Sequence, residues 1–125
     1  KIIYTTSYFM FSSFDIMMHA LNFALEKRIP VGFNLSAEYT ILFEFEKIKQ
    51  SIEFSDFVFA NEHEAAAYGK KEGISDLKEV AMKIASHKKL NVKPRVAIIT
   101  QGANPVIVAI WNPETKDLKV NHYEV

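Results

Sequence analysis

Apolar and polar positions along the chain follow two periods, one typical of buried strands and one typical of amphipathic helices. Short apolar runs rich in branched and aromatic residues predict strands. We expect four such strands, at 1–11, 30–35, 55–60 and 95–100. Between them apolar residues recur every three or four positions. This spacing predicts helices up to Lys27, from Ser36 to about Ile52, after Asn61 and after Asp76.

Capping residues predict where these helices begin and end. Ser12 or Ser13 offers an N-cap for the first helix, and Ser36 offers one for the second. Glycine is common just past the last turn of a helix. We therefore expect the third helix to end near Gly69 or Gly73.

The order of the elements changes after the fourth strand. Two further apolar segments, 105–111 and 118–125, flank the turn sequence NPETKD. Alternating strands and helices favour a parallel sheet with helices on its faces. The last two segments predict an antiparallel hairpin, either at one edge of the sheet or folded over the site. The sequence therefore predicts one α/β domain.

Composition narrows the possible functions without choosing one. The 125 residues suffice for one domain, and 15 basic residues balance 15 acidic ones, so no charge excess indicates nucleic acid or a membrane surface as partner. The absence of cysteine excludes disulfides and thiolate metal sites. There is no targeting pattern, and we expect a cytoplasmic protein. Because both ends lie in strand-like segments, we also expect an internal piece of a longer protein.

A polar cluster follows each of the first four predicted strands. Ligands bind outside the carboxyl ends of the strands in an open parallel sheet, so these clusters could form one site. Polar turns are common after strands, and the same residues could simply cap helices. The clusters contain Ser7 and Tyr8, Asn34 and Ser36, Asn61 and Glu64, and Thr100 and Gly102.

Asn61 and Glu64 have the spacing of a capping box, which would explain both residues by helix initiation alone. The same helix N-terminus would also attract phosphate. A carboxylate there repels phosphate unless a cation lies between them, so Glu64 would suit an outer ligand of Mg²⁺. The two interpretations are compatible.

The remaining candidates are open to more than one interpretation. Thr100-Gln101-Gly102 could be a turn, or a hydroxyl and a glycine backbone that approach phosphate. Tyr8 and Tyr39 could belong to the core or face a ligand. The four histidines lack metal-ligand spacing, and the pair Lys88-Lys89 is expected to lie on a solvated helix face.

Three motifs together carry a family resemblance. The sequences NLSA at 34–37, FANEHEA at 59–65 and IITQG at 98–102 occur in this order and at these spacings. In this respect the chain resembles the adenosine kinases, a branch of the ribokinase-like sugar and nucleoside kinases. The resemblance runs from SYF at 7–9 to the terminal strands. It implies a three-layer α-β-α Rossmann-type sheet, mostly parallel, of which the chain is the central part.

The resemblance also implies an activity and a distribution of roles. The parent enzyme would transfer the γ-phosphoryl group of ATP to the 5′-hydroxyl of adenosine, giving AMP, with Mg²⁺ as cofactor. It would act as a monomer that binds neither nucleic acid nor membrane. The implied ATP and magnesium residues are Asn61, Glu64, Thr100 and Gly102. The implied substrate residues are Tyr8, Asn34, Ser36 and Tyr39.

Some features of the family pattern are not matched. Glu38 stands where the family usually has proline, and Ser7 replaces a common glycine. The Gly-Ala-Gly-Asp segment with the aspartate base has no counterpart in the sequence, nor do the substrate-binding N-terminal region and lid. The chain alone is therefore expected to be inactive. The alternatives are another ribokinase-like sugar or nucleoside kinase, or a non-catalytic α/β module.

Overall fold

A computed structural model describes all residues from Lys1 to Val125, which form six strands and five helices. The strands are β1 (Ile3–Thr6), β2 (Val31–Asn34), β3 (Phe57–Asn61), β4 (Arg95–Gln101), β5 (Asn104–Asn112) and β6 (Asp117–Tyr123). The helices are α1 (Ser7–Lys27), α2 (Glu38–Phe43), α3 (Phe45–Glu53), α4 (Glu62–Glu72) and α5 (Leu77–Ala85). None of these helices combines the length and the apolar character that a membrane span requires.

The six strands form one sheet in which spatial order follows chain order, from β1 to β6. The first four strands are parallel to one another. The remaining two continue the sheet as antiparallel neighbours, so the terminal hairpin lies at the edge. The predicted α/β class, the mostly parallel sheet and the antiparallel hairpin are confirmed.

The helices cover one face of this sheet. Right-handed crossovers that always advance in the same direction place their helices on the same side. The alternate strand residues that are buried there include Phe33, Val58, Ala97 and Ile99, all in the core with residues from all five helices. On the opposite face Tyr4 is exposed and Phe59 is half-buried. These 125 residues thus contain two of the three expected layers.

The first strand is shorter than predicted and the first helix begins earlier. We expected a strand to residue 11 and a cap at Ser12 or Ser13, but α1 begins at Ser7. Thr6 is the N-cap, and its hydroxyl accepts a hydrogen bond from the Phe9 amide at 3.3 Å. The helix is kinked at Ser13, where φ is −146°. A Tyr- and Phe-rich run therefore forms a helical turn here despite its β propensity.

The second predicted helix is divided in two at Glu44, whose backbone is not helical. Its N-cap is Ala37 rather than Ser36, which adopts a left-handed conformation with φ of 58°. The boundaries of α4 and the start of α5 are confirmed: Asn61 and Asp76 are their N-caps, and Gly73 ends α4.

A buried polar cluster lies at the amino ends of strands β3 and β4. Arg95 is fully buried at the start of β4, and its guanidinium donates to the carbonyls of Ile52, Ser55, Ile84, Ala85, His87 and Lys88. Lys89 donates to Asp56 Oδ1 at 2.8 Å, and its side chain is 1% exposed. The prediction that Lys89 lies on a solvated helix face is therefore wrong: α5 ends at Ala85, and Asp56 attracts the ammonium of Lys89 into the protein.

Candidate functional site

Strand register places the predicted polar residues along one rim. Thr6 pairs with Asn34, Asn34 with Phe59, and Asn61 with Thr100. Neighbouring strands are about 4.8 Å apart, and paired residues share a face of the sheet. The carboxyl ends of β1 to β4 therefore present these side chains side by side on the face that the helices leave open.

An open cavity of about 460 Å³, here called the rim cavity, lies at this edge. Its volume is in the range of small-molecule sites. Glu64 is the charged residue among those lining it. The lining residues are Thr6, Tyr8, Asn34, Ser36, Phe59, Ala60, Asn61, Glu64, Ile98 and Thr100.

Asn61 and Glu64 form a reciprocal cap at the start of α4. The Glu64 amide donates to Asn61 Oδ1 at 2.8 Å, and the Asn61 amide donates to Glu64 Oε1 at 3.0 Å. Glu64 is 7% exposed, and its Oε2 accepts no hydrogen bond within the chain. The capping interpretation is therefore correct, and one carboxylate oxygen remains available on the rim cavity.

This arrangement fits a magnesium ion held through water rather than by direct protein ligands. The structure contains no group of three or more carboxylate or imidazole side chains that could enclose a metal. Mg²⁺ commonly keeps several waters and takes only one or two carboxylates from the protein. Glu64 Oε2 could accept hydrogen bonds from such waters, beside the positive end of α4.

Asn34 organises the turn that follows β2. Its side-chain amide donates to the Tyr4 hydroxyl at 2.9 Å, and its Oδ1 accepts the Ser36 amide at 2.9 Å. The Ser36 hydroxyl in turn donates to the Asn34 carbonyl at 3.0 Å. These bonds hold Ser36 in its left-handed conformation at the rim cavity.

Two tyrosines line a second open cavity of about 640 Å³, here called the tyrosine cavity. It shares Tyr8, Ser36, Asn61 and Glu64 with the rim cavity, so the two form one continuous crevice. The rings of Tyr8 and Tyr39 have centroids 6.0 Å apart, and both side chains are about half exposed. A core role, which the sequence left open for both, is excluded by this exposure.

Gly102 does not line either cavity. It has φ of 60° in the two-residue turn between β4 and β5, a conformation that favours glycine. Ser7, the first polar residue expected at the rim, is fully buried. The structure thus brings Tyr8, Asn34, Ser36, Tyr39, Asn61, Glu64 and Thr100 to one crevice, with Gly102 in the adjoining turn.

Four residues of the rim cavity were missed at the sequence level: Thr6, Phe59, Ala60 and Ile98. Phe59 lies two positions before Asn61, and Ile98 two before Thr100. The period of two along a strand puts each pair on the same face, and this signal could have found both residues. Thr6 was missed because the predicted first strand continued to residue 11, whereas β1 ends at Thr6.

Two groups with clearly shifted pKa values, Arg95 and Lys89, lie in the buried cluster at the other end of the parallel strands. Burial lowers the pKa of Arg95 to about 10, which leaves its guanidinium charged at neutral pH. Burial also lowers the pKa of Lys89, although the hydrogen bond to Asp56 opposes this change. The hydrogen bonds of both groups satisfy buried acceptors at a distance from the crevice.

Comparisons with known proteins agree with this geometry. No protein-family profile matches the chain. An adenosine kinase of Schizosaccharomyces pombe is 36% identical over 99% of this chain and 36% of the relative. An adenosine kinase of Dictyostelium discoideum is 36% identical over 84% of this chain and 32% of the relative.

Solved structures give the same result. Anopheles gambiae adenosine kinase in complex with P1,P4-di(adenosine-5) tetraphosphate superposes with a TM-score of 0.87 and 28% identity, over 99% of this chain and 37% of that one. Schistosoma mansoni adenosine kinase in complex with adenosine and AMP gives 0.86 and 27%, with the same coverage. The chain spans about a third of the length of these proteins. By sequence and by fold, the chain is therefore related to the adenosine kinases over the third of those proteins that it covers.

Proposed function

We propose that the chain is the central part of an adenosine kinase, which transfers the γ-phosphoryl group of ATP to the 5′-hydroxyl of adenosine. The observation that carries this proposal is the convergence of Asn61, Glu64 and Thr100 on one crevice with Tyr8 and Tyr39. Helix-terminal amides with a carboxylate suit a magnesium nucleotide, and exposed aromatic rings suit a nucleobase. The relatives named adenosine kinase support the same conclusion.

The two ends of the crevice would have separate tasks. The amide groups at the start of α4 and the hydroxyl of Thr100 would contact the phosphates of ATP. Gly102, in the adjoining turn, would lie beside them. Glu64 would hold waters of a bound Mg²⁺, whose charge would stabilise the transferring phosphoryl group. This chemistry depends mostly on positioning and charge.

The nucleoside would occupy the tyrosine cavity. Tyr8 and Tyr39 would pack against the base, while Asn34 and Ser36 shape the neighbouring turn. The base that activates the 5′-hydroxyl matches no residue of this chain. We propose that other parts of the protein supply it, together with the lid and the rest of the substrate site. We also propose that the whole protein is a cytoplasmic monomer that requires neither nucleic acid nor a membrane.

The decisive experiment measures ligand binding by NMR and kinase activity, both in the polypeptide that contains this 125-residue chain. We expect ATP with Mg²⁺ to shift the amide signals of Asn61 and Thr100. We expect adenosine to shift the ring signals of Tyr8 and Tyr39. Ribose serves as the control for a sugar substrate. If neither nucleotide nor nucleoside perturbs the crevice, or if the longer polypeptide phosphorylates only ribose, the proposal is wrong.

A further inference from the structure

Two fully buried hydroxyl groups lie in contact beneath the tyrosine cavity. Ser7 Oγ lies 2.7 Å from Thr40 Oγ1, and both side chains are fully buried. Ser7 also donates to the carbonyl of Leu35. Thr40 can therefore donate its single proton to Ser7 Oγ, and the Ala37 carbonyl, 2.7 Å from Thr40 Oγ1, is the alternative acceptor of that proton. The pair therefore joins the first turn of α1 to the segment that enters α2.

Each hydroxyl residue is the sequence neighbour of one cavity tyrosine. Tyr8 follows Ser7, and Tyr39 precedes Thr40. Within this structure the two rings stand 6.0 Å apart with planes inclined at 54°. The Ser7–Thr40 contact thus links the two backbone positions from which the rings project, although the residues are 33 positions apart.

Apart from the buried apolar side chains of Met10 in α1 and Ile41 in α2, the two elements that carry the rings have few other anchors. The first turn of α1 is separated from the rest of that helix by the non-helical Ser13. Helix α2 has only six residues and no side-chain hydrogen bond at its N-cap. Helices this short are marginal without tertiary contacts. A buried hydrogen bond between the two elements can therefore determine their relative placement.

We propose that Ser7 and Thr40 are positioning residues for nucleoside binding, because their contact holds Tyr8 and Tyr39 at the spacing that receives a nucleobase. This inference rests on the proposed function for its ligand. The hydroxyls touch no ligand themselves and act through the rings. A purely structural role would lower stability without changing the ring geometry or the selectivity of binding.

The test compares Ser7→Ala, Thr40→Val and the double variant in the polypeptide that contains this 125-residue chain. Thr40→Ser keeps the hydroxyl and should preserve wild-type behaviour. Ser55→Ala is the matched control, because Ser55 is also fully buried and donates to the Ser51 carbonyl at 2.8 Å, away from the crevice. Every variant is measured at a temperature where near-UV circular dichroism shows it folded.

The first readout needs no ligand. Cross-relaxation in NMR between the rings of Tyr8 and Tyr39 should disappear in Ser7→Ala and Thr40→Val and remain in Ser55→Ala. The second readout is the Kd for adenosine, which should rise about threefold to tenfold in either single variant, as expected for one lost buried hydrogen bond. In the double variant the Kd for adenosine should rise by no more than the product of the two single increases, since both substitutions remove the same contact.

The Kd for ATP with Mg²⁺ should change less than about twofold in the same variants, because a residue distant from the phosphates has no direct effect there. The inference would be wrong if the ring contacts stayed unchanged in Ser7→Ala and Thr40→Val. It would also be wrong if these variants changed the adenosine Kd no more than the control Ser55→Ala does. If the wild-type polypeptide that contains this chain fails to bind adenosine, the proposed function fails instead. The ring contacts would still decide whether the hydroxyl pair sets their spacing.

Discussion

The backbone amide of Asn61 donates to Glu64 Oε1 at 3.0 Å, while Oε2 of the same carboxylate has no partner within the chain. One oxygen therefore begins α4 and the other remains available to a ligand. Helix initiation and the proposed ligand binding thus depend on different atoms of one side chain. A substitution that preserves the first oxygen and changes the second can separate them.

Glu64→Gln provides this separation. Glutamine keeps an acceptor for the Asn61 amide but removes the charge. We expect the free energy of unfolding to fall by less than about 1 kcal/mol, since the cap geometry survives. Magnesium-dependent turnover in the polypeptide that contains this chain should fall about tenfold or more. Urea unfolding and a magnesium titration of activity measure the two effects.

Glu64→Ala is the companion variant, because it removes the cap and the charge together. Its loss of stability should exceed that of Glu64→Gln by about 1 kcal/mol. If Glu64→Gln unfolds while its remaining folded fraction retains normal turnover, the carboxylate serves the helix alone.

Thr100→Val tests the nucleotide end of the crevice. Thr100 is exposed on the rim cavity and its hydroxyl makes no hydrogen bond within the chain, so the isosteric change should leave the fold intact. We expect the KM for ATP to rise about fivefold to tenfold through the lost hydrogen bond, and the KM for adenosine to change less than twofold. Equal changes in both constants would remove Thr100 from the nucleotide side.

Arg95→Met tests the buried cluster. The substitution leaves six carbonyls without their charged donor, including those at the ends of α3 and α5. We expect the free energy of unfolding to fall by about 3–5 kcal/mol, as when a buried charge network is broken. Lys93→Met, at an exposed neighbour, should change it by less than about 0.5 kcal/mol. Similar losses in both variants would contradict the role of the cluster.

His87 should give the fold a dependence on acidic pH. Burial lowers the pKa of His87 below its ordinary 6.5, and the charge of Arg95 adds to this effect, while Glu53 opposes it. Below pH 6.5 the unfolded chain gains a proton that the folded chain resists. The stability contributed by neutral His87 is therefore complete above that pH and decreases as pH falls below it.

Urea unfolding at a series of pH values measures this dependence. His87→Asn should flatten the decline below pH 6.5, whereas His122→Asn, at an exposed position on β6, should not. An unchanged slope in His87→Asn would assign the acid sensitivity to other groups.

Local patterns predicted most of the fold and much of the crevice. The capping box of Asn61 and Glu64 and the glycine that ends α4 depend on neighbouring residues, and the sequence was sufficient for both. The early start of α1 was missed because tertiary packing of Met10 and Ser7 overrides the β propensity of the run. Lys89 and Asp56 are 33 positions apart, so no local signal could show that their attraction buries the lysine.

Strand order has a consequence for how the molecule is assembled. Since every strand neighbours the one before it, a chain emerging from the ribosome can add each strand to a finished edge. No strand has to be inserted between two others that are already paired. The sheet can therefore grow in the direction of synthesis, and the N-terminal elements need not wait for distant partners.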